Sequence, residues 1–153
     1  MDYAATDADF RAMPGHLIRR MNQNVTALFR DRMGAMNLDL TPVQFAVLAA
    51  LDEVGETDQA KLAVLVAYDK VTIGGVVDRL VAKGLVDRRP SKIDRRAKVL
   101  RLTQTGTVLL DRARPTVRDL QDELLGGLTP EEAETLVTLL AKAAGQAAGR
   151  DPR

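Results

Sequence analysis

Residues Asp69–Thr103, DKVTIGGVVDRLVAKGLVDRRPSKIDRRAKVLRLT, constrain the fold more than any other stretch of this 153-residue chain. Ile73, Val76, Val77 and Leu80 recur at i, i+3, i+4 and i+7, which predicts a short helix with one buried stripe. Asp69 is placed to cap its start, and Lys83-Gly84 to stop it. Leu85–Arg89 and Ala97–Leu102 then have the length of strands, with Val99 and Arg101 on one face and Leu100 and Leu102 on the other. The polar turn Pro90–Arg96 between them makes a hairpin. From Arg79 to Arg101 nine residues are basic (Arg79, Lys83, Arg88, Arg89, Lys92, Arg95, Arg96, Lys98, Arg101), and only Asp87 and Asp94 oppose them. A short helix followed by a basic hairpin has the shape and charge of a unit that docks on duplex DNA.

The residues before this unit extend it. Thr41-Pro42 supplies an N-cap and a proline in the first turn, and Phe45, Leu48, Ala49 and Leu51 follow at helical spacing. Val54-Gly55-Glu56 reads as a break. Thr57 or Asp58 then caps a second short helix with Leu62, Leu65 and Val66 on its apolar face. Two short capped helices joined by Ala67-Tyr68 are a helix-turn-helix signal. The face of the second one opposite its buried stripe carries Val71, Gly75, Asp78 and Ala82. Gly74-Gly75 inside a helix costs on the order of 2 kcal/mol relative to two alanines. Either the missing side chains let the backbone come close to a groove, or packing tolerates them.

The two ends of the chain are helical in pattern and not basic enough for DNA. Leu17, Met21, Val25, Leu28 and Arg32 step by four along a first helix that starts at Phe10 or Pro14 and runs to Met36. After Thr103, a helix carrying Val108, Leu109 and Arg112 meets Pro115, where a kink is expected, and resumes with Val117, Leu120, Leu124 and Leu125. Leu128-Thr129-Pro130-Glu131-Glu132 opens a last helix with Leu136, Val137, Leu139, Leu140, Ala143 and Ala144 on one face. Gly145–Arg153 is rich in small residues and reads as fraying, as does the small, acidic Met1–Asp9. A first helix this long exceeds one small core, so residues 1–36 and 104–148 read as a dimerisation region, 37–103 as the DNA-binding domain and 149–153 as a tail.

Absences exclude several classes of function. Without cysteine there is no disulfide, thiolate metal site or thiol redox sensor. A serine–histidine pair would have to be Ser91 and His16, in a basic turn and a first helix, so no catalytic residues, metal or cofactor are expected. Glu131, Glu132 and Glu134 are explained as charges at a helix N-terminus. No apolar run approaches a membrane span and no signal peptide opens the chain, so a cytoplasmic protein is expected.

The order helix, helix, helix-turn-helix, basic hairpin and two helices resembles the MarR family, over roughly Leu17–Ala144. The wing is the most specific piece: Gly84-Leu85-Val86, then Asp94-Arg95-Arg96, then Leu102-Thr103 with Gly106 three residues on. Thr41-Pro42-x-Gln44-Phe45 and Asp78-Arg79-Leu80 also look like the family. The resemblance implies a mainly α fold with a small β-hairpin wing, dimeric through its N- and C-terminal helices. It also implies a repressor of promoters with pseudo-palindromic operators, often released by a small phenolic or aromatic acid. Carried over, Lys70, Val71, Thr72 and Gly75 fall on major-groove positions. Arg95 and Arg96 fall on the wing, Asp94 braces a wing arginine, and Arg79, Arg88 and Lys92 flank them as phosphate contacts. Many members have Thr-Arg where this chain has Gly74-Gly75, which removes a base-reading side chain.

Pro14-Gly15-His16-Leu17-Ile18-Arg19-Arg20, with Thr72-Ile73-Gly74-Gly75, looks like a subgroup that regulates aromatic-acid catabolism, in which aromatic acids or their coenzyme A thioesters are the effectors. His16, Arg19, Arg20, Gln23 and Asn24 then become ligand-binding candidates, since arginine pairs with carboxylate or phosphate. Arg19 and Arg20 as solvent or DNA-phosphate residues, with His16 as a helix-end partner, is the alternative. For the whole chain, the alternative is an architectural DNA-binding protein that answers to no ligand.

Overall fold

The structure is a computed structural model and describes residues 9–148, without the side chains of 146–148. The expectations for the first eight residues and for the tail 149–153 lie outside the described residues. A 3-10 turn at Phe10–Ala12 leads into α1 (Pro14–Ala35), followed by α2 (Pro42–Val54), β1 (Glu56–Thr57), α3 (Gln59–Leu65) and α4 (Lys70–Ala82). The hairpin β2 (Val86–Pro90) and β3 (Lys98–Leu102) comes next, then α5 (Gln104–Leu124) and α6 (Pro130–Ala148).

Side chains cap these helices where orphan N–H groups need acceptors. Thr41 accepts from Gln44 N at 3.3 Å while Gln44 Oε1 accepts from Thr41 N at 3.1 Å, which is why Gln44 can be a buried polar residue. Thr129 and Glu132 make the same reciprocal pair at the start of α6. Asp58, rather than Thr57, caps α3 by accepting from Lys61 N at 2.9 Å. Gly84, at φ +70°, ends α4 in the left-handed conformation that lets Leu85 N donate back to Leu80 O at 2.9 Å.

The core joins both halves of the chain. Met33 of α1, Leu48 and Leu51 of α2, Leu62 of α3, Ile73 and Leu80 of α4, Leu100 of β3, and Leu110 and Leu120 of α5 are all essentially inaccessible. The stripe expected on α4 is the buried one. Arg32–Glu123 and Arg114–Asp52 ion pairs fasten α5 to α1 and α2 at the surface. Among the described residues no helix is long and apolar enough to cross a membrane.

Two features differ from expectation, the sheet and the end of α6. The sheet has three strands in the order β1-β3-β2, because Glu56 pairs with Arg101 and Thr57 with Leu100 just after the break at Gly55. Pro115 lies inside α5, which runs as one helix from Gln104 to Leu124. Ala113 and Leu120 on either side of it are in the core, and that packing outweighs one lost backbone bond. Finally, α6 passes through Gly145 to Ala148, where fraying was expected.

Candidate DNA interface and effector cleft

α4 and the wing are locked together by backbone contacts. Thr103 N donates to Leu85 O at 3.1 Å, its hydroxyl donates to Gly84 O at 2.7 Å, and the same oxygen caps Gly106 N at 3.0 Å. This fixes the return strand of the hairpin against the end of α4. Gly106 makes the approach feasible, since a Cβ there would overlap the Leu85 carbonyl oxygen and lie 3.1 Å from its carbon. Arg88 of β2 adds an ion pair at 2.6 Å to Asp78 of α4.

The charge of this unit is divided. Asp87 holds Arg89 and, at 3.8 Å, Arg101; Asp39 takes Lys83 at 2.7 Å; Asp78 takes Arg88. Of the nine basic residues, Arg79, Lys92, Arg95, Arg96 and Lys98 remain without an ion pair among the described residues. All five are exposed, and four of them belong to the wing tip. The sequence suggests one basic patch, but the fold neutralises its base and leaves its tip cationic.

The exposed face of α4 is chemically sparse. Val71 is 86% exposed, and Lys70, Thr72 and Gly75 are exposed beside it. Asp69 caps the helix by accepting from Thr72 N at 2.8 Å and from the Thr72 hydroxyl at 2.5 Å. The Thr72 hydroxyl, expected on the reading face, therefore has its proton committed, leaving its methyl group and an acceptor lone pair facing out. Those same two bonds, the hydroxyl's first, hold the Asp69 carboxyl below its ordinary pKa. The two glycines separate in role. A Cβ on Gly74 would come 3.1 Å from Gln59 Nε2, whereas one on Gly75 would meet nothing within 4 Å. Gly74 thus faces the end of the Gln59 side chain within the protomer, while Gly75 faces open space. On the wing, Asp94 accepts from the backbone N of Arg96 at 3.0 Å, so it braces the main chain of the turn and makes no ion pair with a wing guanidinium among the described residues.

A cleft of about 290 Å³ separates α1 from α4 and is lined by Asn22 and Thr26 of α1, Thr41–Gln44, Tyr68, and Val76 and Arg79 of α4. None of His16, Arg19, Arg20, Gln23 and Asn24 lines it. Arg19, three residues before Asn22 and seven before Thr26, shares their side of α1 one turn nearer the N-terminus, while Arg20 and Asn24 share a different side. His16 packs edge-on against Phe10 at 5.3 Å. Sequence reasoning missed Asn22, Thr26 and Tyr68, because only the fold brings Tyr68, in the turn between two helices, opposite α1.

Two capped helices in tandem, a hairpin clamped to the second and a cationic tip define a winged helix-turn-helix, the architecture of a DNA-binding transcriptional regulator. Residues 38–97 match the MarR family. The chain is 37% identical over 137 residues to the HTH-type transcriptional repressor NicR of Pseudomonas putida, covering 90% of this chain and 85% of that protein. BpsR of Bordetella bronchiseptica, solved in a study of how 6-hydroxynicotinic acid regulates its DNA binding, superposes with a TM-score of 0.82 at 32% identity, covering 93% of this chain and 97% of that one. An Escherichia coli MarR variant complexed with operator DNA superposes with a TM-score of 0.80 at 31% identity, over 90% of this chain and 99% of that one. The chain belongs to the MarR family.

Proposed function

We propose that this protein is a homodimeric repressor that leaves its operator when a small anionic aromatic molecule, a free acid or its coenzyme A thioester, enters the cleft between α1 and α4. The observation that carries the reading is the position of Arg79. It lines the cleft and belongs to α4, the helix whose exposed face this reading turns toward DNA. A carboxylate drawn to Arg79, with an aromatic ring against Tyr68 and Val76, would move α4 relative to α1. The regulation of BpsR by 6-hydroxynicotinic acid, an aromatic acid, supports this ligand class.

In this reading Lys70, Val71, Thr72 and Gly75 face a major groove, and Lys92, Arg95 and Arg96 of the wing an adjacent minor groove. Arg79 and Arg88 flank them, and Asp94 shapes the turn. Leu17 and Ile18 of α1 and Val137, Leu139 and Leu140 of α6 are about half exposed, apolar faces suited to a second copy of the chain. Two-fold symmetry would set the half-sites about 34–36 Å apart. Arg19 is the first-helix candidate best placed to help hold the anion; His16, Arg20, Gln23 and Asn24 stand further round α1.

The test is a fluorescence-anisotropy titration with the protein's own promoter fragment, adding 6-hydroxynicotinate, benzoates and aryl-coenzyme A thioesters. Release by one class, lost in Thr26→Leu while DNA affinity is kept, is expected. Equal release of that variant would remove the cleft from the account. The bare face at Gly75 favours a second reading, an architectural protein with weak sequence preference, which predicts similar affinity for promoter and unrelated DNA.

A further inference from the structure

Ile93 is 100% exposed, more than any other large apolar side chain described in the chain. It sits at the apex of the 91–97 turn, beyond the last strand pair, Pro90 with Lys98. The turn around it is well bonded. Ser91 Oγ accepts from Ile93 N at 3.2 Å and from Asp94 N at 3.4 Å. Ser91 N donates to Ala97 O at 2.8 Å, and Ala97 N to Asp94 O at 3.0 Å. With Asp94 also accepting from Arg96 N, the backbone closes on itself and projects Ile93 outward with nothing of its own chain to pack on.

The surroundings are as specific as the exposure. Lys92, Arg95 and Arg96 share the turn with Ile93 and Lys98 opens β3 just beyond it, all exposed and without an ion pair among the described residues. Arg89, Pro90, Ser91, Lys92 and Arg95 line a shallow hollow on the flank of the hairpin. An apolar tip among cations matches a surface with anions on its rim and apolar faces within. Duplex DNA can offer that layout: phosphates border the minor groove, and the apolar base faces below its floor become accessible where a step unstacks. Apolar side chains, isoleucine among them, enter such grooves by partly unstacking a base step, and pyrimidine–purine steps yield most readily.

We propose that Ile93 is an apolar wedge that enters the minor groove of the bound duplex and partly unstacks one base step, so that the protein selects a deformable step where its wing lands. The proposal rests on the DNA-binding reading of the wing given above. It supplies sequence preference from the wing, where the α4 face offers few groups to read bases. It also requires no base-specific hydrogen bond.

The experiment compares wild type, Ile93→Ser and Ile93→Leu on a promoter duplex carrying 2-aminopurine at the step nearest the wing, located by wild-type footprinting, with fluorophores at the duplex ends to report bending. Ile93→Ser is expected to weaken binding about 5–20-fold, the size of one lost base-step preference. It should leave the salt slope unchanged, because no charge is removed. It should also abolish the 2-aminopurine enhancement and reduce the bend, and Ile93→Leu should restore both. Replacing the step by an A-tract should weaken wild type and not Ile93→Ser. Binding by wild type with equal affinity and 2-aminopurine signal in Ile93→Ser would overturn the wedge alone. Weaker binding with an unchanged 2-aminopurine signal would reassign Ile93 to a sugar contact and likewise overturn it. Loss of binding to anionic phosphatidylserine vesicles in Ile93→Ser, with DNA binding intact, would assign the tip to a membrane instead. No binding of wild type to any duplex would remove the underlying DNA reading itself.

Discussion

Replacing Gly106 by alanine tests the joint that holds the wing to α4. The new Cβ would overlap the Leu85 carbonyl oxygen, lie 3.1 Å from its carbon and 3.3 Å from Leu102 Cδ2. The Leu85 carbonyl cannot swing aside freely. It accepts from Thr103 N, its own residue is in the core, and Leu85 N is tied to Leu80 O. The start of α5 must therefore retreat, at an overpacking cost of about 1–3 kcal/mol. The two bonds from Thr103 to Gly84 and Leu85 contribute about 1 kcal/mol each and would be stretched or lost. Alanine's better helix propensity returns about 1 kcal/mol. The net expectation is a loss of about 2–3 kcal/mol, which lowers Tm by about 4–12 °C for a chain of this size. Circular dichroism melts at one fixed protomer concentration measure this, since dimerisation makes Tm concentration-dependent. Operator affinity should fall as well, because the wing loses its fixed angle to α4. A variant that melts at or above the wild-type temperature would refute the claim that this close approach fixes the wing.

The other substitutions probe reading, charge and capping. Gly75→Ala fills empty space on an exposed helix face, so stability should rise by about 0.5–1 kcal/mol while operator affinity falls if the backbone needs close approach; unchanged affinity would return Gly75 to the status of an ordinary surface glycine. Arg95→Ala should reduce the slope of log K against log salt by about 1, as for a lost phosphate contact. Arg88→Ala should weaken binding with less change of slope, because that guanidinium is already paired with Asp78. Asp58 and Asp69 titrate below the ordinary carboxylate value, through the Lys61 backbone N–H and the Thr72 hydroxyl respectively. Their folded pKa values are depressed, so their contribution is present above the unfolded value of about 3.9 and disappears as pH falls through the lower folded values. Melting temperature should thus fall with acidification below about pH 4, and less steeply in Asp69→Asn; parallel curves would contradict the assignment.

Sequence reasoning reached the winged helix-turn-helix because its signals are local. Asp69, Thr41 and Thr129 cap helices within their own turns, and the Ile73-Val76-Val77-Leu80 stripe depends only on helical period. β1 carries no such signal: two residues have no periodicity, and their pairing with β3 is set by a contact distant in sequence. The resumption of α5 after Pro115 was legible from Val117 and Leu120, but the core contacts of Ala113 and Leu120 that hold both sides of the proline were not. Wing charge was legible as a sum, but its division was not, since Asp78, Asp87 and Asp39 find their partners only after folding. The cleft was invisible for the same reason, its walls coming from α1, the corner at Thr41-Pro42, Tyr68 and α4.

The most direct measurement is anisotropy of a labelled promoter fragment titrated with wild-type protein at two salt concentrations, with an unrelated duplex as competitor, before and after adding an aromatic acid or its thioester. A ligand-released repressor should bind tightly and in a salt-sensitive way, resist displacement by the competitor, and let go when the effector is added. Absence of binding at low salt, or binding that the unrelated duplex displaces equally and no aromatic anion alters, would contradict that reading.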